Sequence, residues 1–104
     1  MAQFDVYENA NPETTRYTPY LLDVQADLLS TLNTRVVIPL HSAAAMGKAA
    51  THLNPRFKIR RTTVVMSTAE LAGVDIRVLG EKVGSLKEQR DQIIAALDFL
   101  FTGF

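Results

Sequence analysis

The sequence predicts a mainly β fold, a small barrel or curled sheet with one C-terminal α-helix packed on it. Three observations lead there. Short runs of alternating or β-branched residues recur from Gln3 to Val78. Turn-forming residues punctuate those runs. Only after Leu86 does the apolar period lengthen to that of a helix. The 104 residues suit a single domain, 1–104.

Gln3 to Tyr7 alternates, with Phe4 and Val6 on one face, as a half-buried strand does. Glu8 to Thr15 is polar and rich in turn formers, so it reads as an exposed loop. Tyr17 to Gln25 reads as a second strand, whose continuous centre Tyr20-Leu21-Leu22 asks for burial on both faces. Asp27 to Thr34 is a connector. Arg35-Val36-Val37-Ile38-Pro39-Leu40 is the most β-prone segment, and Pro39, which lacks an N–H, places that end at a sheet edge or a bend. Ser42 to Gly47 fits a helical turn or a loop equally well.

Arg56 to Ile59 and Thr62 to Met66 form a hairpin, with Arg60 and Arg61 at a bend that suits other residue types better. Ser67 and Glu70 have capping-box spacing and Gly73 suits a helix C-terminus, which predicts one short helical turn. Val74 to Val78 alternates as a strand, and Gly80 to Gly84 reads as a break. Ser85 and Glu88 form a second capping box. Behind it Ile93, Leu97 and Phe101 recur at every fourth position, with Ile94 and Leu100 beside them, until Gly103 stops the helix. Phe101, on this stripe, is expected in the core.

Lysine plus arginine and aspartate plus glutamate each number 11. This balance disfavours nucleic-acid binding through phosphates and favours a protein partner. With no cysteine there is no disulfide or thiolate site. The N-terminus has neither the basic nor the apolar region of a signal peptide, and no apolar run approaches the roughly 20 residues of a membrane helix. A cytoplasmic protein without membrane contact is expected.

No catalytic, metal or cofactor set stands out. His41 and His52 lack metal-ligand spacing to any partner. Asp91 and Asp98 share a helix face but stand about 10 Å apart, and Asp23 and Asp27 lie elsewhere. The cluster Arg56, Lys58, Arg60 and Arg61 reads as an edge hairpin kept soluble by charge; an RNA- or phosphate-binding strand is the alternative. The C-terminus is unusual in carrying Phe99, Phe101 and Phe104 within its last six residues. Phe104, beyond Gly103, is the candidate exposed anchor for a partner.

Several strings resemble the CcdB toxin family in order and spacing across essentially the whole chain: Gln3-Phe4-x-Val6-Tyr7, Asp23-Val24-Gln25-Ala26-Asp27-Leu28-Leu29, Arg35-Val36-Val37-Ile38-Pro39-Leu40, the Met66 to Val74 turn, Val78-Leu79-Gly80-Glu81, and the closing helix. The resemblance implies an SH3-like small barrel of the CcdB/MazF/Kid type, assembled as a twofold dimer. It implies a non-enzymatic toxin that binds the DNA gyrase A subunit, traps gyrase on cleaved DNA, and is neutralised by a CcdA-type antitoxin that folds on binding. Carried over, the gyrase-binding residues are Phe4, Leu28, Leu29, Asp98, Thr102, Gly103 and Phe104. The best-known family member has tryptophan in place of Thr102, asparagine in place of Asp98 and isoleucine at the last position. Threonine cannot stack on a gyrase arginine as that tryptophan does, so Phe104 is the aromatic left to act at this end.

Two other readings fit the same residues. MazF/Kid-type ribonucleases share the barrel, and Arg35, His41, Arg56 and Arg61 would then supply acid–base and phosphate contacts. A degenerate homologue that only binds antitoxin is the third.

Overall fold

The computed structural model describes residues 1–47, 49–50 and 52–103. These form seven strands, β1 (Asp5–Asn9), β2 (Tyr20–Asp23), β3 (Thr34–Ser42), β4 (Arg56–Ile59), β5 (Thr62–Met66), β6 (Ala72–Asp75) and β7 (Leu79–Ser85), followed by helix α1 (Arg90–Thr102). All pairings are antiparallel, and the strand order is β4-β5-β3-β2-β1-β7, with β6 pairing on β3. The sheet curls around a core that includes Phe4, Val6, Leu22, Ile38, Leu40, Phe57, Val64 and Met66, onto which Ile93 and Ala96 of α1 pack.

Strand β3 is central, and this explains its sequence. Ile38 and Leu40 enter the main core, while Arg35, Val37 and His41 on the opposite face are also buried. A strand covered on both faces loses the polar alternation of a half-exposed one. Pro39 therefore lies inside the sheet, and the edge expected for it is corrected. Its neighbours on one side change at this point, from β6 (Thr34 to Val37) to β5 (Leu40 to Ser42). Its carbonyl faces that gap and accepts the Ser67 N–H at 3.0 Å. The N and O of one strand residue point to the same side, so the missing N–H interrupts no ladder bond.

Other expectations change for local reasons. The second strand is shorter than Tyr17 to Gln25, because Thr14 to Thr18 is a hydrogen-bonded turn. The Val74 to Val78 strand ends at Asp75, whose carboxylate takes the Arg77 N–H at 2.9 Å and starts a 3-10 turn over Ile76–Val78. Gly73 lies in β6 opposite Val36 and does not end a helix. Gly80 to Gly84 is no break, since both glycines belong to β7. Its pairing with β1 is irregular around Tyr7, and a Cβ on Gly80 would stand 3.0 Å from the Glu8 carbonyl oxygen. Ser42 to Met46 resolves as a turn at the end of β3.

Neither capping box forms. Ser67 donates its hydroxyl to the Glu70 carboxylate, which faces His41 and leaves the backbone uncapped. Ser85 accepts the Lys87 N–H at 3.2 Å, and a 3-10 turn, Lys87–Gln89, precedes α1. The inward side of α1 carries Ile93, Ala96, Leu97 and Leu100, the i, i+3, i+4, i+7 stripe of an amphipathic helix. Phe101 is 69% exposed, not core, because steps of four residues drift off that stripe. Gly103 ends α1 with φ +79° and donates its N–H to the Phe99 carbonyl at 2.9 Å.

Candidate functional site

The most exposed apolar side chain among the described residues is Leu28, 95% accessible, with Leu29 and Leu32 also open on the same turn. Three leucines in water have no stability rationale of their own, yet the turn that carries them is closely tied down. Its 3-10 segment, Asp27–Leu29, is followed by a Leu32 N–H bond to the Leu29 carbonyl. Gln25 donates its side-chain amide to the Leu29 carbonyl at 2.9 Å and accepts the Val36 N–H at 3.0 Å. Asp27 accepts the Gln3 N–H at 2.7 Å, and Gln3 reaches back to the Val24 carbonyl at 3.1 Å.

Asp23 anchors this frame. One carboxylate oxygen accepts the Gln25 N–H at 3.0 Å. The other meets Arg35 Nε at 2.9 Å and Nη2 at 2.6 Å, with both side chains buried. Only Nε makes a hydrogen bond, since Nη1 and Nη2 have no hydrogen-bond partner among the described residues and Nη2 meets Asp23 by charge alone, so Asp23 is what compensates the buried guanidinium. Burial pushes the Asp23 carboxyl up, and the Arg35 and Gln25 hydrogen bonds oppose that rise. Beside the pair, Tyr7 bonds Asp5 at 3.3 Å, and its phenol is pushed up to about 12, first by burial and then by the Asp5 and Asp23 carboxylates. Lys82 closes the group at 3.3 Å from Asp5.

Phe4 supports the same frame from beneath. Its side chain is 2% exposed, so it does not reach the surface. Its φ of +72° is in the left-handed region, where a bulky residue is held only by its surroundings. Here they are two backbone bonds, Phe4 N–H to the Asp23 carbonyl at 2.6 Å and Leu86 N–H to the Phe4 carbonyl at 2.8 Å. This bend presents Gln3 to Asp27.

The second apolar surface is the end of α1. Phe101 is exposed, and Phe99 is partly exposed with its ring 6.1 Å from that of His52. Asp98, Thr102 and Gly103 are exposed here, and Thr102 donates its hydroxyl to the Asp98 carbonyl at 2.6 Å. Phe104 lies outside the described residues. Among the described residues no hydrogen bond joins this helix end to the Leu28 turn.

His41 belongs to a third, polar group that the sequence did not disclose. Glu70 Oε1 stands 2.7 Å from Nε2, and Thr18 Oγ1 stands 2.7 Å from Nδ1. A carboxylate only accepts, so Nε2 donates to Glu70, while the Thr18 hydroxyl, able to donate or accept, meets Nδ1. Tyr17 packs on the ring with centroids 4.5 Å apart. Hydrogen bonds from Ser67 first and His41 second hold the Glu70 carboxyl below its usual range. The group borders a cavity of about 330 Å³, walled also by Leu21, Pro39 and Val74. Both ring nitrogens are engaged and the ring is buried, so it ties β3 to the Thr14–Thr18 turn and to Glu70. Arg35 is likewise committed to Asp23. Arg56 and Arg61, by contrast, are exposed on the β4–β5 hairpin. The four side chains considered for RNA cleavage are therefore split between buried and exposed positions.

Among the described residues no group of three or more His, Cys, Asp or Glu side chains is placed to hold a metal ion. No helix among them is long and apolar enough to cross a membrane.

The strands form a curled antiparallel half-barrel with a C-terminal helix and an exposed, closely held apolar turn. A solved structure described as an endoribonuclease in complex with its cognate antitoxin, from a mycobacterial species, superposes with a TM-score of 0.75 over 96% of this chain and 93% of that one, at 13% identity. At that identity the likeness establishes the shared fold alone. The sequence pattern of the CcdB protein family matches residues 3–103. The chain belongs to the CcdB family, the toxins of toxin–antitoxin pairs.

Proposed function

We propose that this toxin acts as a homodimer in the cytoplasm. It binds the DNA gyrase A subunit, holds gyrase on cleaved DNA, and is released by a CcdA-type antitoxin. The contact surface comprises Leu28 and Leu29 on the turn and Asp98, Thr102, Gly103 and Phe104 at the end of α1, with Phe4 holding the turn from below. The observation that carries this reading is Leu28: a nearly fully exposed leucine on a turn fixed by Asp23, Gln25 and Asp27. Rigid apolar anchors contribute most to protein interfaces because little ordering entropy is lost on binding. No bond is made or broken by the toxin in this scheme; binding energy alone stabilises the cleaved complex.

The test is a cleavage assay with purified gyrase and supercoiled plasmid. Added toxin is expected to raise the linear DNA released by detergent and protease. A folded toxin that yields no linear DNA contradicts the proposal.

A ribonuclease reading draws on the Thr18–His41–Glu70 chain beside its cavity and on the similar fold of the endoribonuclease described above. Purified protein that cleaves RNA, with cleavage abolished in both His41→Ala and Arg61→Ala, would favour it. The gyrase reading expects no cleavage.

A further inference from the structure

Strand β4 is a terminal strand of the sheet. Its partner β5 follows through a two-residue turn, with Ile59 opposite Thr62. Arg60 has φ +48° and Arg61 has φ +75°, the pattern of a type I′ turn, which is ordinarily occupied by Asn-Gly. The residues flanking such a turn exchange hydrogen bonds, and pairs then alternate along the ladder. Ile59–Thr62 and Phe57–Val64 are thus the bonded pairs, while Lys58–Thr63 and Arg56–Val65 are not. The Met66 N–H bond to the Pro55 carbonyl, 2.9 Å, confirms this phase one step further on.

It follows that Arg56 and Lys58 direct their N–H and C=O groups away from β5, toward the free edge. Among the described residues no backbone hydrogen bond meets them there. The same two residues carry exposed basic side chains, whereas Phe57 and Ile59 are buried. Arg60 and Arg61 extend the positive charge round the turn, and the nearest carboxylate, Glu8, is 3.8 Å from Arg60. At the Arg56 end the edge opens into a cavity of about 410 Å³ bounded by Asn54, Pro55 and Gln92.

We infer that the outer edge of β4 accepts an extended acidic segment of a partner polypeptide as an added strand. Its backbone pairs with Arg56 and Lys58, and its carboxylates meet their side chains and the turn arginines. Strand addition takes affinity from the main chain and selectivity from alternate side chains. A row of like charges on an edge also repels a second copy of the same edge, so one device excludes self-pairing and admits the opposite charge. An acidic peptide suits the patch better than nucleic acid. Of the 11 basic residues in the chain, only these four form the patch, and the even overall charge gives a polyanion no broad attraction. This inference is independent of the gyrase surface.

The test is amide hydrogen exchange of the whole protein, followed by NMR, with a capped peptide of about six residues alternating glutamate and threonine. Controls are the same peptide with lysine for glutamate, and a single-stranded oligonucleotide. The glutamate peptide is expected to slow exchange at the Arg56 and Lys58 amides. Its affinity should fall about tenfold, the equivalent of one charge-assisted contact, in Arg56→Glu, and less in the double variant Arg60→Asn with Arg61→Gly, which keeps the edge and suits the turn. No binding, binding without protection of those two amides, or equal binding of the lysine peptide overturns the inference. Tighter binding of the oligonucleotide would make the hairpin a nucleic-acid site instead.

Discussion

The Leu28 turn and the β4–β5 hairpin both project from the sheet, and they are built in opposite ways. The turn displays apolar side chains on a backbone closed by its own hydrogen bonds and tied to the sheet through Gln25 and through Asp27 to Gln3. The hairpin displays charge on a backbone held in a conformation that arginine disfavours, with the outer main-chain edge of β4 open. The first arrangement is rigid and fits a partner by shape. The second leaves hydrogen-bonding capacity unused and fits a partner by main-chain pairing and charge. Exposure alone does not distinguish these surfaces; what lies beneath each one does.

The comparison breaks most severely at Asp23. Asp23→Ala leaves the Arg35 guanidinium buried without its carboxylate, and unfolding in denaturant should show a loss of roughly 3–5 kcal/mol. The Leu28 turn should loosen as well, because Gln25 loses the acceptor for its N–H. A smaller effect is expected for Gly80→Ala, where the added Cβ collides with the Glu8 backbone. Chemical denaturation should report about 1–3 kcal/mol of destabilisation.

On the hairpin the sign reverses. Arg60→Asn with Arg61→Gly supplies residues that adopt positive φ readily. Stability should rise by about 1 kcal/mol, seen as a melting temperature higher by several degrees. A fall would contradict the type I′ assignment.

The smallest effect concerns Glu70, which is largely exposed. Its carboxyl is held low in the folded state, so its contribution is present above the ordinary carboxylate pKa and lost as pH falls through the folded value. Glu70→Gln should therefore be less stable than wild type near pH 7, and the difference should shrink steadily as pH falls below the usual carboxylate range of about 4. A difference that persists in acid would show that the Glu70 charge is not responsible.

Much of this was legible in the sequence. The apolar period located α1, and β-branched runs located β3 and β5. What misled was chemistry that local patterns do not carry. Pro39 looked like an edge residue because sequence does not show that β3 changes neighbours beside it. Gly80 and Gly84 looked like a break because close approach to β1 is a tertiary fact. Ser67 and Glu70 kept capping-box spacing, but His41, far along the chain, redirects the carboxylate. At the candidate site, the Asp23-Val24-Gln25-Ala26-Asp27 string stood out by resemblance, and the structure gives its physical sense: each polar residue in it fixes the leucines that follow. The extra exposed leucine, Leu32, and the Thr18 and Glu70 partners of His41 had no spacing signal. Phe101 followed the helical stripe on paper and left it in space, because the stripe turns with every step.

The most direct test of the central claim is calorimetric titration of the dimerisation region of the gyrase A subunit with wild-type toxin and with Leu28→Asp, each checked for unchanged unfolding stability. A fully exposed side chain should alter stability by less than about 0.5 kcal/mol. Loss of an interface anchor should weaken binding by about 2 kcal/mol or more, some 30-fold. Wild-type binding that is lost in an equally stable variant is the predicted result. No binding by the folded wild type, or equal binding by both proteins, would contradict the account.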